Sequence, residues 1–193
     1  MCKSGLASLA IYYYDFREDQ KRDLRGLLSS LLVQLCHQSD SYYDRLSTFY
    51  LEHARGSRPP SDGELTNCLK DLLELPNQPP VYIVVDALDE CPDTPTIRSP
   101  RSPRAKVLHL IEELIDLHLP DLRVCVTSRL QTDIKDVLDR VPHDCVSLHD
   151  ENGQKRDIED YIKFVINDEK NKHWTAEDRQ LIIKVFIEKA DGM

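Results

Sequence analysis

Apolar residues along this chain alternate between continuous runs and a three-or-four-residue spacing, and that alternation predicts its elements. Residues 6–14 (LASLAIYYY) form an apolar, aromatic-rich run that stops at Asp15 and reads as a buried strand. Leu24, Leu27, Leu28, Leu31, Leu32 and Leu35 follow at i, i+3, i+4, i+7, the stripe of an amphipathic helix. A second helix is predicted over 42–54, ended by Gly56 and Pro59-Pro60. Ser61-Asp62-Gly63-Glu64 has the form of a capping box, in which serine and glutamate each satisfy the other's backbone amide. It opens a third helix through Leu65, Leu69, Leu72 and Leu73, closed by Pro76 and Pro79-Pro80.

Residues 81–85 (VYIVV) are the most hydrophobic run, held between Pro80 and Asp86, and read as a central parallel strand buried on both faces. The stretch 91–104 (CPDTPTIRSPRSPR) has the composition of a mobile surface loop, with Ser99-Pro100 and Ser102-Pro103 as candidate phosphorylation sites. A helix over 105–117, a strand over 122–127 (LRVCVT), a short helix over 133–138 and a last strand over 145–148 (CVSL) follow. The character then changes. Ile158, Tyr161, Ile162, Val165 and Ile166 recur at helical spacing within 154–170. Leu181, Ile182, Val185 and Phe186 do so within 176–190, where Thr175 is a candidate cap. Strands alternating with helices and then helices alone mean an α/β unit, 1–149, leading into the start of a helical one, 150–193.

Composition narrows the function classes. The longest uncharged apolar stretch is nine residues, against about twenty for a membrane-spanning helix. Twenty-five basic against 34 acidic residues give a net charge of −9, so no broad attraction to nucleic acid or anionic lipid is expected. The six cysteines lie far apart, without zinc-ribbon or CxxC spacing. Cys36, Cys68 and Cys125 fall in apolar patterns, where a free thiol behaves as a small buried hydrophobe, and a reduced, cytoplasmic protein is expected. The seven histidines show no HxxxH or HExxH spacing, and no G-x-S-x-G occurs.

The candidate chemistry sits after two of the strands. Residues 81–91 (VYIVVDALDEC) deliver Asp86 to the carboxyl end of a strand, where open α/β sheets place their ligands, with Asp89 and Glu90 in the following turn. A carboxylate there can hold Mg²⁺, usually through water. A second can orient or deprotonate an attacking water. The plainer reading makes Asp86 a turn cap and the other two solvated charges. Residues 122–129 (LRVCVTSR) end in Thr127-Ser128-Arg129, and Arg129 can neutralise a terminal phosphate. Its plainer reading is a structural ion pair, for instance with Asp133.

VYIVVDALDEC resembles the Walker B strand of NACHT-type signal-transducing ATPases, and RVCVTSR resembles their sensor strand. Residues 11–35 (IYYYDFREDQKRDLRGLLSSLLVQL) resemble the strand and helix that precede Walker B in that class. The combination is similar to the NACHT or nephrocystin-like N-terminal domain of many fungal NOD-like receptor proteins. The resemblance implies a partial P-loop NTPase parallel sheet with flanking helices, followed by the start of an all-α subdomain. It implies ATP and Mg²⁺ as cofactors, Asp86 as the magnesium-associated residue, Asp89 and Glu90 as the acidic catalytic pair, and Arg129 as the γ-phosphate sensor. It further implies a regulated switch with self-association or other protein partners.

A P-loop needs G-x-x-x-x-G-K-[ST], whose glycine amides and lysine hold the phosphates. None of the six glycines is followed by lysine. The resemblance places the P-loop, its strand and its helix before residue 1, so the chain is expected to be cut at both ends and to bind ATP weakly by itself, without independent ATPase activity. The resemblance implies that this strand lies in the middle of the sheet, between the sensor strand and the last strand. Two alternatives stay open: a non-enzymatic interaction module on an α/β scaffold, and an unrelated small α/β enzyme using Asp86.

Overall fold

The computed structural model describes residues 6–15, 17–18, 22–95, 99–146, 152–166 and 174–190, with the side chains of 152–158 and 187–190 left aside. Contacts group the chain into two units, Met1–His143 and Asp144–Met193.

The first unit is built on three parallel strands, β1 (Ser8–Tyr13), β2 (Val81–Asp86) and β3 (Leu122–Val126), in the order β1-β2-β3. Ser8 is level with Val81, and Val81 with Leu122. Helices α1 (Leu24–Cys36), α2 (Asp40–Glu52) and α3 (Asp62–Leu73) connect β1 to β2, and α4 (Pro103–Asp116) connects β2 to β3. Both crossovers step the same way across the sheet, and right-handed crossovers that step the same way lie on one face. Burial agrees with this. Ser8, Ala10, Tyr12, Val81, Ile83 and Val85 share one face and are buried, in a single core with the leucines of α1 and α3 and the aliphatic face of α4.

Local chemistry sets the helix starts. Asp23 caps α1, its Oδ1 accepting from the Gly26 amide at 2.9 Å, and Leu24, Leu27, Leu28, Leu31, Leu32 and Leu35 are all buried. Each such leucine contributes about 1.5–3 kcal/mol of burial. The capping box of α3 forms as read: Glu64 Oε2 accepts from the Ser61 amide at 2.7 Å, and Ser61 Oγ accepts from the Glu64 amide at 3.2 Å. Ser102 caps α4, with Pro103 at the first helical position.

Several expectations are corrected. β2 is central and parallel, but only one of its faces is buried: Tyr82 is 41% exposed and Val84 half-buried. Five consecutive apolar residues do not reveal whether a second layer lies over them. Cys125 is exposed for the same reason, because its side chain points to the open face with Ile11, Tyr13 and Tyr82. Cys145 and Val146, read as the start of a last strand, lie in irregular chain, and residues 147–148 lie outside the described residues. The 91–104 stretch is anchored at both ends, since Cys91, Ser102 and Arg104 are buried.

Helix α5 (Thr132–Leu138) completes the first unit. The second contains α6 (Asn152–Ile166) and α7 (Ala176–Ala190), which pack on each other. The Thr175 hydroxyl accepts from the Asp178 amide at 3.1 Å, while the Asp178 carboxylate accepts from the Thr175 amide and hydroxyl. Those bonds hold the Asp178 carboxyl below its usual range. Among the described residues no helix is long and apolar enough to cross a membrane.

Candidate functional site

The carboxyl ends of β2 and β3 are tied together by Thr127. Its amide donates to the Val85 carbonyl at 3.0 Å and its carbonyl accepts from the Leu88 amide at 3.0 Å. Its hydroxyl accepts from the Ala87 amide at 3.0 Å and donates to Asp86 Oδ1. Asp86 is therefore oriented by a side chain 41 residues further along the chain, while remaining exposed to solvent. Ala87 turns the backbone out of the strand in the left-handed region, at φ 54°. That conformation costs a residue bearing a Cβ about 1–2 kcal/mol, and a small one fits best. A 3₁₀ turn, Leu88–Glu90, follows, pinned to the core by the fully buried Leu88.

Asp89 is held from two directions. Its Oδ1 accepts from the Arg129 amide at 3.0 Å, and its Oδ2 lies 3.5 Å from Arg129 Nε. Its carboxylate is only 9% exposed, whereas the Arg129 side chain is 82% exposed. The Asp89 carbonyl accepts from Arg104 Nη2 at 2.7 Å. Arg104, itself buried, also donates through Nε to the Cys91 carbonyl at 2.9 Å and through Nη1 to Asp133 on α5 at 3.1 Å. The alternative pairing of Arg129 with Asp133 is thus not the one formed, because Arg104 takes Asp133 and Asp89 takes Arg129. Thr127 and Arg104 are the residues that sequence reading missed as organisers of this site. The Thr-Ser-Arg ending of β3 hinted at the first; nothing local signalled that an arginine in a proline-rich stretch would be buried.

Glu90 is half-buried in the same turn. At the end of β1, Arg17 donates to Asp15 through Nε and Nη2, both at 3.0 Å. Those bonds, then the Asp15 charge, with smaller help from Glu90, hold the Arg17 guanidinium more firmly protonated than usual. The carboxyl edge thus carries Asp15 and Arg17 from β1, Asp86, Asp89 and Glu90 from β2, and Thr127 and Arg129 from β3. Cys91 does not join this chemistry: its thiol is buried and burial pushes it up to about 12, so it is not a nucleophile at neutral pH.

The donor set at Asp86, one carboxylate beside a threonine hydroxyl, suits a hard cation that keeps most of its water. Among the described residues no group of three or more His, Cys, Asp or Glu side chains converges to hold a metal. A bound Mg²⁺ would need its other ligands from water and substrate oxygens. A cavity of about 480 Å³ beside α4 and α5 is lined by Asp133 and Ser102 but by none of Asp86, Asp89, Glu90 or Arg129.

The sequence profile of the family described as nephrocystin 3, N-terminal, matches residues 2–129. The chain belongs to this family. The nephrocystin 3 N-terminal match spans β1 to β3 and ends on Arg129, so it contains all four candidate residues, whereas α5, α6 and α7 lie outside it. No curated protein and no solved structure matches the chain.

Proposed function

We propose that this nephrocystin-like chain carries the magnesium-associated and phosphate-sensing strands of a NACHT-type, P-loop NTPase-like signalling switch. The observation that carries the reading is the interlock of β2 and β3, in which Thr127 orients Asp86 and Asp89 holds the backbone of Arg129. In this reading Asp86 holds Mg²⁺ through water, the ion neutralising phosphate charge when bound. Asp89 and Glu90 form the acidic pair; Asp89 fixes the sensor loop, and Glu90 is the carboxylate placed to act on a water. Arg129 projects into solvent, where a terminal phosphate would meet it. The switch would act through nucleotide-dependent self-association or through other protein partners.

The 193 residues contain no glycine-rich phosphate loop, so the chain alone binds Mg·ATP weakly and has no independent ATPase activity. Among the described residues no strand pairs with the outer side of β3, which supports the same reading, since the resemblance places the phosphate-loop strand beside the sensor strand. The test is a graft. A strand, glycine loop and helix from a nucleotide-binding relative are fused before residue 1, and a fluorescent ATP analogue is titrated with Mg²⁺. The graft should bind in the micromolar range and the ungrafted chain should not, with Asp86→Asn and Arg129→Ala each weakening the graft by about tenfold or more. Equal affinity in the parent graft and both variants would overturn the assignment. That result would favour the second reading, an interaction module, for which the open sheet face of Ile11, Tyr13 and Tyr82 speaks.

A further inference from the structure

The segment joining the acidic turn to α4 contains the same four-residue pattern twice, Pro92-Asp93-Thr94-Pro95 and Pro100-Arg101-Ser102-Pro103. Each sets a hydroxyl between a proline two residues before it and a proline directly after it. The following proline lacks an amide hydrogen and is selected by proline-directed protein kinases; a proline at the earlier position strengthens that selection. The fold treats the two copies differently. Ser102 is 7% exposed, and its Oγ is committed as the cap of α4, accepting from the Ala105 amide at 3.1 Å. Thr94 is exposed, and its hydroxyl makes no hydrogen bond among the described residues. Ser99, also followed by proline, is half-buried, donates to the Arg101 carbonyl at 2.8 Å and lacks the earlier proline.

We propose that Thr94 is a phosphorylation site for a proline-directed kinase, and that the helix cap withholds the equivalent Ser102. In the transfer, Thr94 Oγ1 attacks the γ-phosphorus of ATP. The new O–P bond forms as the bond to the β,γ-bridging oxygen breaks, ADP leaves with that electron pair, and the hydroxyl proton passes to the kinase's base. The product adds about two negative charges four residues after Glu90. Its neighbour Asp93 lies 4.0 Å from Arg104 Nη1, the guanidinium that holds the Asp89 carbonyl and Asp133. The phosphate thus enters beside a carboxylate that already faces the guanidinium anchoring the acidic turn.

The test compares the folded chain with a synthetic peptide of residues 90–106, each treated with a proline-directed kinase of the mitogen-activated class and Mg·ATP, with sites followed by mass spectrometry over time. In the peptide, Thr94 and Ser102 should be modified at comparable rates. In the folded chain Thr94 should be modified while Ser102 falls behind by about tenfold or more, since it must wait for the first turn of α4 to open. Thr94→Ala should abolish most incorporation and leave the thermal midpoint unchanged. Preferential phosphate on Ser102 or Ser99 in the folded chain, or none on Thr94 in either the chain or the peptide, would overturn the proposal.

Discussion

The two edges of the sheet meet solvent in different ways. At β1 the outward backbone groups are covered by glutamines of α1 and its C-terminal turn. The Leu9 amide donates to Gln38 Oε1 at 2.8 Å and the Leu9 carbonyl accepts from Gln38 Nε2 at 2.7 Å. The Ile11 amide and carbonyl make the same exchange with Gln34, at 2.9 and 2.8 Å. Two side-chain amides thereby imitate a neighbouring strand and blunt an edge that would otherwise template pairing. At β3 the ladder turns the amides and carbonyls of Val124 and Val126 away from β2. There, among the described residues, the side-chain cover is limited to Arg123 donating to the Leu122 carbonyl at 2.8 Å. Among the described residues, the β1 edge is covered by side chains and the β3 edge is largely bare.

The contrast between the closed and open faces offers the largest effect. Leu28→Ala, at a side chain with no exposure, should cost about 2–5 kcal/mol through lost burial and the cavity left behind. Ile11→Thr, on the open face at 46% exposure and still β-branched, should stay within about 0.5 kcal/mol. Urea midpoints at constant slope measure both. A comparable loss at Ile11 would mean that the outer face is covered in solution and would break the comparison.

Thiol chemistry probes the same two faces without a mutation. Cys125 lies on the open face, whereas burial pushes Cys91 up to about 12 and Cys68 to about 11. At pH 8 an aromatic disulfide should label the exposed Cys125 well before Cys91, whose thiol is buried and held protonated by that burial. Peptide mapping after timed quenching reads the ratio, and urea should erase it. Rapid labelling of Cys91 in the folded chain would show that the core behind the acidic turn opens readily.

A smaller effect is expected at the β1 edge. Replacing both Gln34 and Gln38 with alanine removes four hydrogen bonds at a solvated edge and should cost about 1–2 kcal/mol, water restoring part of the loss. The same variant should scatter more light at high concentration, because the β1 edge is then exposed to pairing. Arg123→Ala should change scattering little, since it removes a single bond to the Leu122 carbonyl at that edge. If the glutamine variant stays as soluble as the parent, edge protection is not what those side chains do.

Much of the first unit was readable from the chain, for identifiable reasons. The six-leucine stripe, the serine–glutamate box and the Pro-to-Asp bracket around VYIVV are local signals, and each produced the element it implied. The placement of Asp86, Asp89, Glu90 and Arg129 at the carboxyl edge was likewise readable, because a parallel strand delivers the residues after it to that edge. Pairings between distant residues were not. The bond of Asp89 to the Arg129 amide joins residues 40 apart, and the burial of Arg104 depends on α5 supplying Asp133. The open face was misread because a run of five apolar residues looks the same under one layer of helices as under two.

The smallest lever is acid, and it acts on the start of α3. Hydrogen bonds from the Ser61 amide and then the Ser61 hydroxyl hold the Glu64 carboxyl down at about 2, with His53 and Arg58 adding less. Its folded value lies below its unfolded one, so the carboxylate favours the folded state above the ordinary glutamate range, near pH 4.5. That contribution is lost as pH falls from there toward 2. Glu64→Gln keeps an acceptor oxygen for Ser61 but removes the charge. The parent should therefore show the higher urea midpoint at pH 7, with the gap closing between pH 4.5 and 2 as its own carboxylate takes up a proton. A gap that stays constant with pH would mean that the box works through shape and neutral hydrogen bonding alone. The start of α3 would then be held as the β1 edge is held by its glutamines, without charge.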